Sequence, residues 1–335
     1  MIYMPLKKCI KLFLILVIPI LLGSPGFGQQ MSLQSQFLMN EYLINPSVAG
    51  YDGYTRINLS GREQWLGLPQ SPKTHIASFQ TRLLNSSYIV RKNPIRKNAL
   101  RPSKMARVGL GAMIFDDRTG LISRTGFQIS YAYHIPFQES QLSFGISAEG
   151  YQFKLNKDGV ELNDPNDPFY LAYDFDVFVP DANFGVSFIT KDYSLGFSVH
   201  HLFQSALKLG NKGNNNYQTL RHYFVSGGYK LQLSDDWLLH PYVLLKSTNK
   251  FNSIQADIST TLFYQNTYWL GLSYRTPKFI IIKAGLKIDK LYIGYAFDHS
   301  MDNLSKYSIG THEFSIAYKF GGSIRRYRWL DHDLY

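Results

Sequence analysis

From Tyr54 to Phe320 apolar and polar residues alternate with a period of two, in one segment after another. A period of two places successive side chains on opposite faces of a strand, whereas a helix repeats every 3.6 residues. Phe127, Ile129, Tyr131, Tyr133 and Ile135 thus share one face, and Gln128, Ser130, Ala132 and His134 the other. The same holds for Tyr193, Leu195, Phe197 and Val199, for Ile254 to Tyr264, and for Leu291, Ile293, Tyr295 and Phe297. The face opposite the apolar one is rich in Gly, Ala and Ser, with isolated charges such as Glu149, Asp257 and Glu313. In a soluble sandwich that face looks to water and carries many more Lys and Glu. Small residues instead suit a crowded lumen.

Read in this way, the chain predicts strands at 54–64, 73–84, 106–115, 124–135, 140–153, 181–190 and 192–203. The second half adds 220–233, 237–247, 254–264, 267–275, 279–288, 290–298 and 311–320. These are longer than ordinary globular strands and match a tilted bilayer crossing. Their number, about fourteen, is even, as in single-chain bacterial barrels. Aromatic residues make up 15% of the chain and charged ones 18%, a balance that suits interfacial girdles. The predicted fold is therefore all-β, a transmembrane antiparallel β-barrel.

Outer-membrane barrels have short periplasmic turns and longer outer loops. With the N-terminus in the periplasm, the inner turns fall at 136–139, 191, 234–236, 265–266 and 289, all short. The outer loops fall at 65–72, 116–123, 154–180, 204–219, 248–253, 276–278 and 299–310. Two segments depart from the rule: the short outer loop 276–278 and the long, basic inner segment 85–105.

Residues 1–28 read as a signal peptide, with Lys7, Lys8 and Lys11 preceding an apolar run broken by Pro19. Without those lysines the formal net charge falls from +11 to +8, which fits anionic headgroups or an acidic partner. Cys9, the one cysteine, lies in that segment, so the mature chain offers no thiol chemistry. Residues 29–53 are expected as a periplasmic or lumenal segment, because Leu33, Phe37, Leu38, Tyr42 and Leu43 suit packing in or under a barrel. The barrel then spans 54–320, and a basic tail occupies 321–335.

Residue pairs that resemble chemistry each have a plainer reading. His200 and His201 with His222 suggest a metal pair, but neighbours on a strand point to opposite faces. His201 and Ser205 suggest a rim hydrolase, and a histidine at a strand end explains them as well. Asp257 and Glu313 suggest an acid/base pair, yet lumenal Lys283, Lys287 or Arg275 would neutralise them. Asp164, Asp167, Asp174 and Asp176 lie in an acidic loop without EF-hand spacing. The basic segment around Arg91, Lys92, Arg96, Lys97, Arg101 and Lys104 resembles a nucleic-acid patch in charge, but Tyr88 is its one aromatic residue. No phosphate loop, nucleophile elbow or H-E-x-x-H motif occurs, so neither catalysis nor a cofactor or metal is expected.

Several ordered motifs resemble those of the PorP/SprF proteins of the Bacteroidetes type IX secretion and gliding system. They begin with Gln36-Phe37-Leu38-Met39-Asn40 and Ile44-Asn45-Pro46-Ser47-Val48-Ala49-Gly50. Arg62-Glu63-Gln64-Trp65-Leu66-Gly67 and Ser71-Pro72-Lys73-Thr74 follow. Ser123-Arg124-Thr125-Gly126, Pro180-Asp181-Ala182-Asn183-Phe184-Gly185, Gly294-Tyr295-Ala296-Phe297-Asp298 and Thr311-His312-Glu313-Phe314 complete the series. The resemblance implies an outer-membrane barrel that helps export or anchor a surface protein. Its partners would be other secretion components, a secreted adhesin and outer-membrane lipid, and not nucleic acid. The motif positions Asn45, Pro46, Gly50, Gln64, Trp65, Gly67, Pro72, Pro180, Asp181, Gly294, Tyr295, Asp298, His312 and Glu313 are candidate functional residues. Arg91, Lys92, Arg96 and Lys97 are candidates for docking beneath the membrane. The alternative is a channel for a small solute.

Overall fold

The computed structural model describes residues 34–83, 107–137, 139–155, 176–204, 206–208, 216–248, 254–276 and 278–320. Its strands in chain order are β1 (Thr55–Glu63), β2 (Lys73–Arg82), β3 (Val108–Thr119), β4 (Ile122–Pro136), β5 (Ser140–Leu155), β6 (Asp176–Thr190) and β7 (Tyr193–His200). A small separate ladder of β8 (Ala206–Lys208) and β9 (Asn216–Gln218) follows. Then come β10 (His222–Tyr229), its continuation β11 (Leu231–Gln232), β12 (Trp237–Thr248), β13 (Ile254–Tyr264), β14 (Tyr268–Arg275), β15 (Phe279–Ile288), β16 (Leu291–Ser300) and β17 (Thr311–Phe320). With β10 and β11 as one stave, fourteen antiparallel staves form the wall. It closes where Thr55 of β1 pairs with Phe320 of β17. Closure leaves no sheet edge with unpaired backbone groups, the condition for crossing a bilayer with strands.

Each of the fourteen predicted strands has its counterpart. The main difference is height. β3 runs on to Thr119 and β4 starts at Ile122, so the outer loop expected at 116–123 is a two-residue turn with Gly120 at φ +58°. β6 begins at Asp176, which takes that residue out of the expected acidic loop and pairs it with Lys154 at 3.2 Å. Polar residues above the bilayer need no apolar face, so the alternation that marks a strand ends before the strand does. Charge pairs take over there, with Arg118 3.0 Å from Asp116. Long connections at 64–72, 156–175, 201–221, 249–253 and 301–310 mark the outer end. The five short connections between 137 and 290 mark the inner one.

The side chains are distributed inside out. Ile114, Ile129, Leu270, Leu272 and Phe314 point outward, each about 60% exposed, whereas Asp257, Asp298 and Glu313 are 1% exposed inside. A water-soluble protein does not tolerate an apolar surface of this extent. In a bilayer it is the lipid face. Tyr133, Tyr193, Tyr229, Trp237, Tyr268 and Tyr318 ring its inner end as an interfacial girdle. Among the described residues no helix is long and apolar enough to cross a membrane.

Candidate functional site

The lumen is filled by residues 34–52, which fold as three single 3₁₀ turns, Phe37–Met39, Glu41–Leu43 and Pro46–Val48. Phe37, Tyr42, Ser35, Ser47 and Ala49 are each no more than 1% exposed. This segment is a plug, and three sets of contacts hold it.

At the outer end lies an ionic clamp. Arg62 of β1 donates to Asp298 of β16 at 2.6 Å and to Glu313 of β17 at 2.9 Å. Those carboxylates then grip the plug: Glu313 accepts from the backbone N–H of Ser35 at 2.6 Å and of Gln36 at 2.8 Å, and Asp298 accepts from Ser35 Oγ. Arg275 joins Asp257 at 2.8 Å and reaches the carbonyl of Gln34 at 3.4 Å. Buried charges are stable only when paired and hydrogen-bonded, and here the plug backbone supplies part of that satisfaction.

In mid-lumen, neutral polar contacts take over. Asn40 donates to Ser78 and accepts from Gln80, and the Tyr42 hydroxyl meets Ser130 Oγ at 2.8 Å. Asn45 donates to the Val186 carbonyl at 3.0 Å, and its other amide atom caps the next turn by accepting from Ser47 N–H. Ser198 and His200 of β7 both donate to the Ile44 carbonyl. The lumen-facing glycines make room. A Cβ on Gly145 would lie 2.3 Å from Ser47 N, and one on Gly294 would lie 2.1 Å from Gln36 Oε1.

At the inner end, Gly50 turns with φ +66° against the Thr81 carbonyl, where a Cβ would come within 2.5 Å. Arg82 donates to the Tyr51 carbonyl, and Asp52 pairs with Arg56 at 2.6 Å. The plug therefore runs from the outer end to the inner end before β1 turns back upward. This departs from an N-terminal segment entering from the periplasm, since Gln34 sits by the outer ends of β14 and β17.

The structure brings Asn45, Pro46, Gly50, Gly294, Asp298 and Glu313 together around the plug. It sets the others apart. Gln64, Trp65, Gly67 and Pro72 shape the outer β1–β2 connection, where Gln64 N–H donates to the Pro72 carbonyl and Leu66 is stitched to Gly310. Tyr295 and His312 form an outward pair, 2.7 Å from hydroxyl to Nδ1. Asp181, beside Pro180 on β6, accepts from Ala182 and Phe203 N–H and lies 3.5 Å from His201 Nδ1. Arg91, Lys92, Arg96, Lys97, Ser205 and most of the acidic loop lie outside the described residues.

Two expectations about side-chain placement need correction. His201 has φ +57°, which ends the strand and turns its ring to the inner side with His200, so His201 and His222 rings lie 5.8 Å apart. Strand alternation had placed His200 and His201 on opposite faces. Glu313 is neutralised by Arg62, whereas Lys283, Lys287 or Arg275 had been expected. Arg62 had been missed as a functional residue, although it stands beside the Gln64-Trp65 motif. Among the described residues no group of His, Cys, Asp and Glu has the geometry to hold a metal.

A model of the type IX secretion system membrane proteins PorP/SprF matches residues 26–318. No curated protein matches the chain significantly. Among solved structures, a deltaS2S3 mutant of the TodX monoaromatic hydrocarbon channel is similar at 8% identity with a TM-score of 0.45, over 88% of this chain and 96% of that one. A KdgM porin is similar at 9% identity with a TM-score of 0.37, over 79% and 99%.

Proposed function

The chain belongs to the PorP/SprF family of type IX secretion system membrane proteins, and from this premise we propose that it is a non-enzymatic outer-membrane barrel that helps export or anchor one surface protein. The observation that carries this reading is the filled lumen. A diffusion channel needs an open path, but here Arg62, Asp298 and Glu313 of the adjacent β1, β16 and β17 bind the plug to the wall. Expelling it would take the Ser35 and Gln36 donors from Asp298 and Glu313, a cost of about 1–3 kcal/mol or more for each buried group left unsatisfied. The lumenal carboxylates serve as clamps on this reading, since guanidinium and N–H donors already engage them.

The surface protein, an adhesin in this proposal, is held on the outer side by the tall wall of β3 to β6 and the long connections beside it. Export begins with residues 1–28 as signal peptide, and 54–320 form the unit embedded in outer-membrane lipid. Beneath the membrane, Arg91, Lys92, Arg96 and Lys97 dock the barrel onto an acidic face of other secretion components. Deleting the gene tests the role: one or few surface proteins should vanish from intact cells and return on complementation. An unchanged surface proteome, together with steady conductance of the purified barrel in planar bilayers, would establish the channel instead.

A further inference from the structure

Each pair of neighbouring staves is joined by the chain that runs from one to the next, except at the seam between β1 and β17, the first and last strands of the wall. The entropic cost of bringing two segments together grows with the length of chain between them, so this pairing is the costliest to close. The plug touches both sides of that seam at each of its ends. At the outer end Ser35 Oγ accepts from Arg62 of β1 at 2.6 Å, while the N–H groups of Ser35 and Gln36 donate to Glu313 of β17. Arg62 and Glu313 are register partners across the seam. At the inner end a second pair of register partners, Arg56 of β1 and Lys319 of β17, faces inward and is buried. Like charges directly opposite on a sheet face push their strands apart. Asp52, the last residue of the plug, lies between them, 2.6 Å from Arg56 and 3.9 Å from Lys319. Between the two ends, the Met39 carbonyl accepts from Arg56, and the Met39 side chain shares an apolar cluster with Ala317 of β17.

We propose that the plug is the latch of this seam, and that seating it draws β1 onto β17 and closes the barrel. Its other contacts have a different character. Tyr42 meets Ser130 of β4, and the Ile44 carbonyl meets Ser198 and His200 of β7. Short turns already hold β4 to β5 and β7 to β6, so those contacts fix the plug without drawing separate strands together. At the seam the plug adds what the two strands lack by themselves: a carboxylate beside the opposed Arg56 and Lys319, and donors for Glu313. Closure and seating are therefore linked, and the linkage is reciprocal. A seam held shut by other means makes the latch contacts less necessary, and a plug without them leaves the seam as the line along which the wall parts.

The test refolds the full chain from urea into detergent and follows the heat-modifiable band. Ser35→Ala combined with Asp52→Asn removes one latch contact at each end of the seam and should lower the folding equilibrium constant about tenfold, because buried hydrogen-bonding groups lose partners. Tyr42→Phe, which removes a plug contact on β4, is the control. Ser60 and Ser315 are register partners across the seam, so Ser60→Cys with Ser315→Cys allows it to be closed by a disulfide. Oxidation of that pair should raise the urea midpoint of the latch variant by more than it raises that of the parent or of Tyr42→Phe. Equal gains in all three backgrounds would overturn the proposal, since any disulfide closing a long loop stabilises a chain generally. A latch variant as stable as the parent, or one that the disulfide does not rescue, would overturn it too. A cysteine pair that stays reduced in the folded parent would remove the register on which the latch rests.

Discussion

Asn45 of the plug and Gly185 of β6 lie so close that a Cβ at position 185 would fall 2.0 Å from Asn45 Oδ1. That oxygen is already fixed, accepting from both Ser47 N–H and Ser47 Oγ. The two residues form a lock across the lumen, and locks of this kind are non-additive. Gly185→Ala should lower the temperature at which the heat-modifiable band unfolds. Asn45→Ala should also lower it, by about 1–3 kcal/mol equivalent, because it frees buried hydrogen-bonding groups. The double variant should lose less than the sum, since removing the amide relieves the clash. Strict additivity in that cycle would show that the two residues do not touch.

Arg62 neutralises two acids at once, so its replacement should be more damaging than that of any exposed arginine. Arg62→Met leaves Glu313 without its cation and Asp298 with Arg275 at 3.5 Å, in a buried site where breaking a pair costs about 3–5 kcal/mol. Arg62→Lys should recover part of this, because an ammonium supplies charge but not the planar fork that reaches both carboxylates. Urea denaturation in detergent, followed by tryptophan fluorescence, measures both variants. A Met variant as stable as the parent would remove the clamp from the account.

The register predicts a further contrast. Ile129 faces lipid, and Ile129→Arg should lower folded yield by about 2–4 kcal/mol, the cost of a midplane arginine on that face. Ala296 faces inward at 0% exposure. In an open lumen Ala296→Arg would keep its charge hydrated and be mild. In this filled lumen it should fold no better than Ile129→Arg. A well-folded Ala296→Arg variant would mean that the plug yields easily.

Alternation made the wall legible because every crossing strand must show lipid an apolar face, and register then follows from short turns such as Gln265 and Asn266, both with positive φ. Where lipid ends, the signal ends too, which is why β3 past Phe115 and β6 before Asp181 were unreadable. His201 was misplaced for a local reason, since a single left-handed residue reverses the face. A segment packed in or under the barrel was expected from Phe37, Leu38, Tyr42 and Leu43, but neither its filling of the lumen nor its direction was. Direction is set by contacts such as Ser35 with Glu313, 278 positions apart, and no periodicity encodes those.

The direction of the plug leads to the last prediction. Ser35 and Gln36 are fixed to Glu313 near the start of β17, at the end of the barrel with long connections, whereas Tyr51 is fixed to Arg82 and Gln141 at the opposite end. The plug thus starts at the outer end of the lumen with Gln34 and leaves it at the inner end. A short epitope inserted between Gln30 and Met31 should bind antibody on intact cells. An epitope after Asp302, in the long β16–β17 connection, should bind equally, and one between Lys191 and Asp192 should bind only after the outer membrane is opened. An epitope before Gln34 that stays hidden until permeabilisation, with the 302 insertion exposed, would mean that the plug runs the other way.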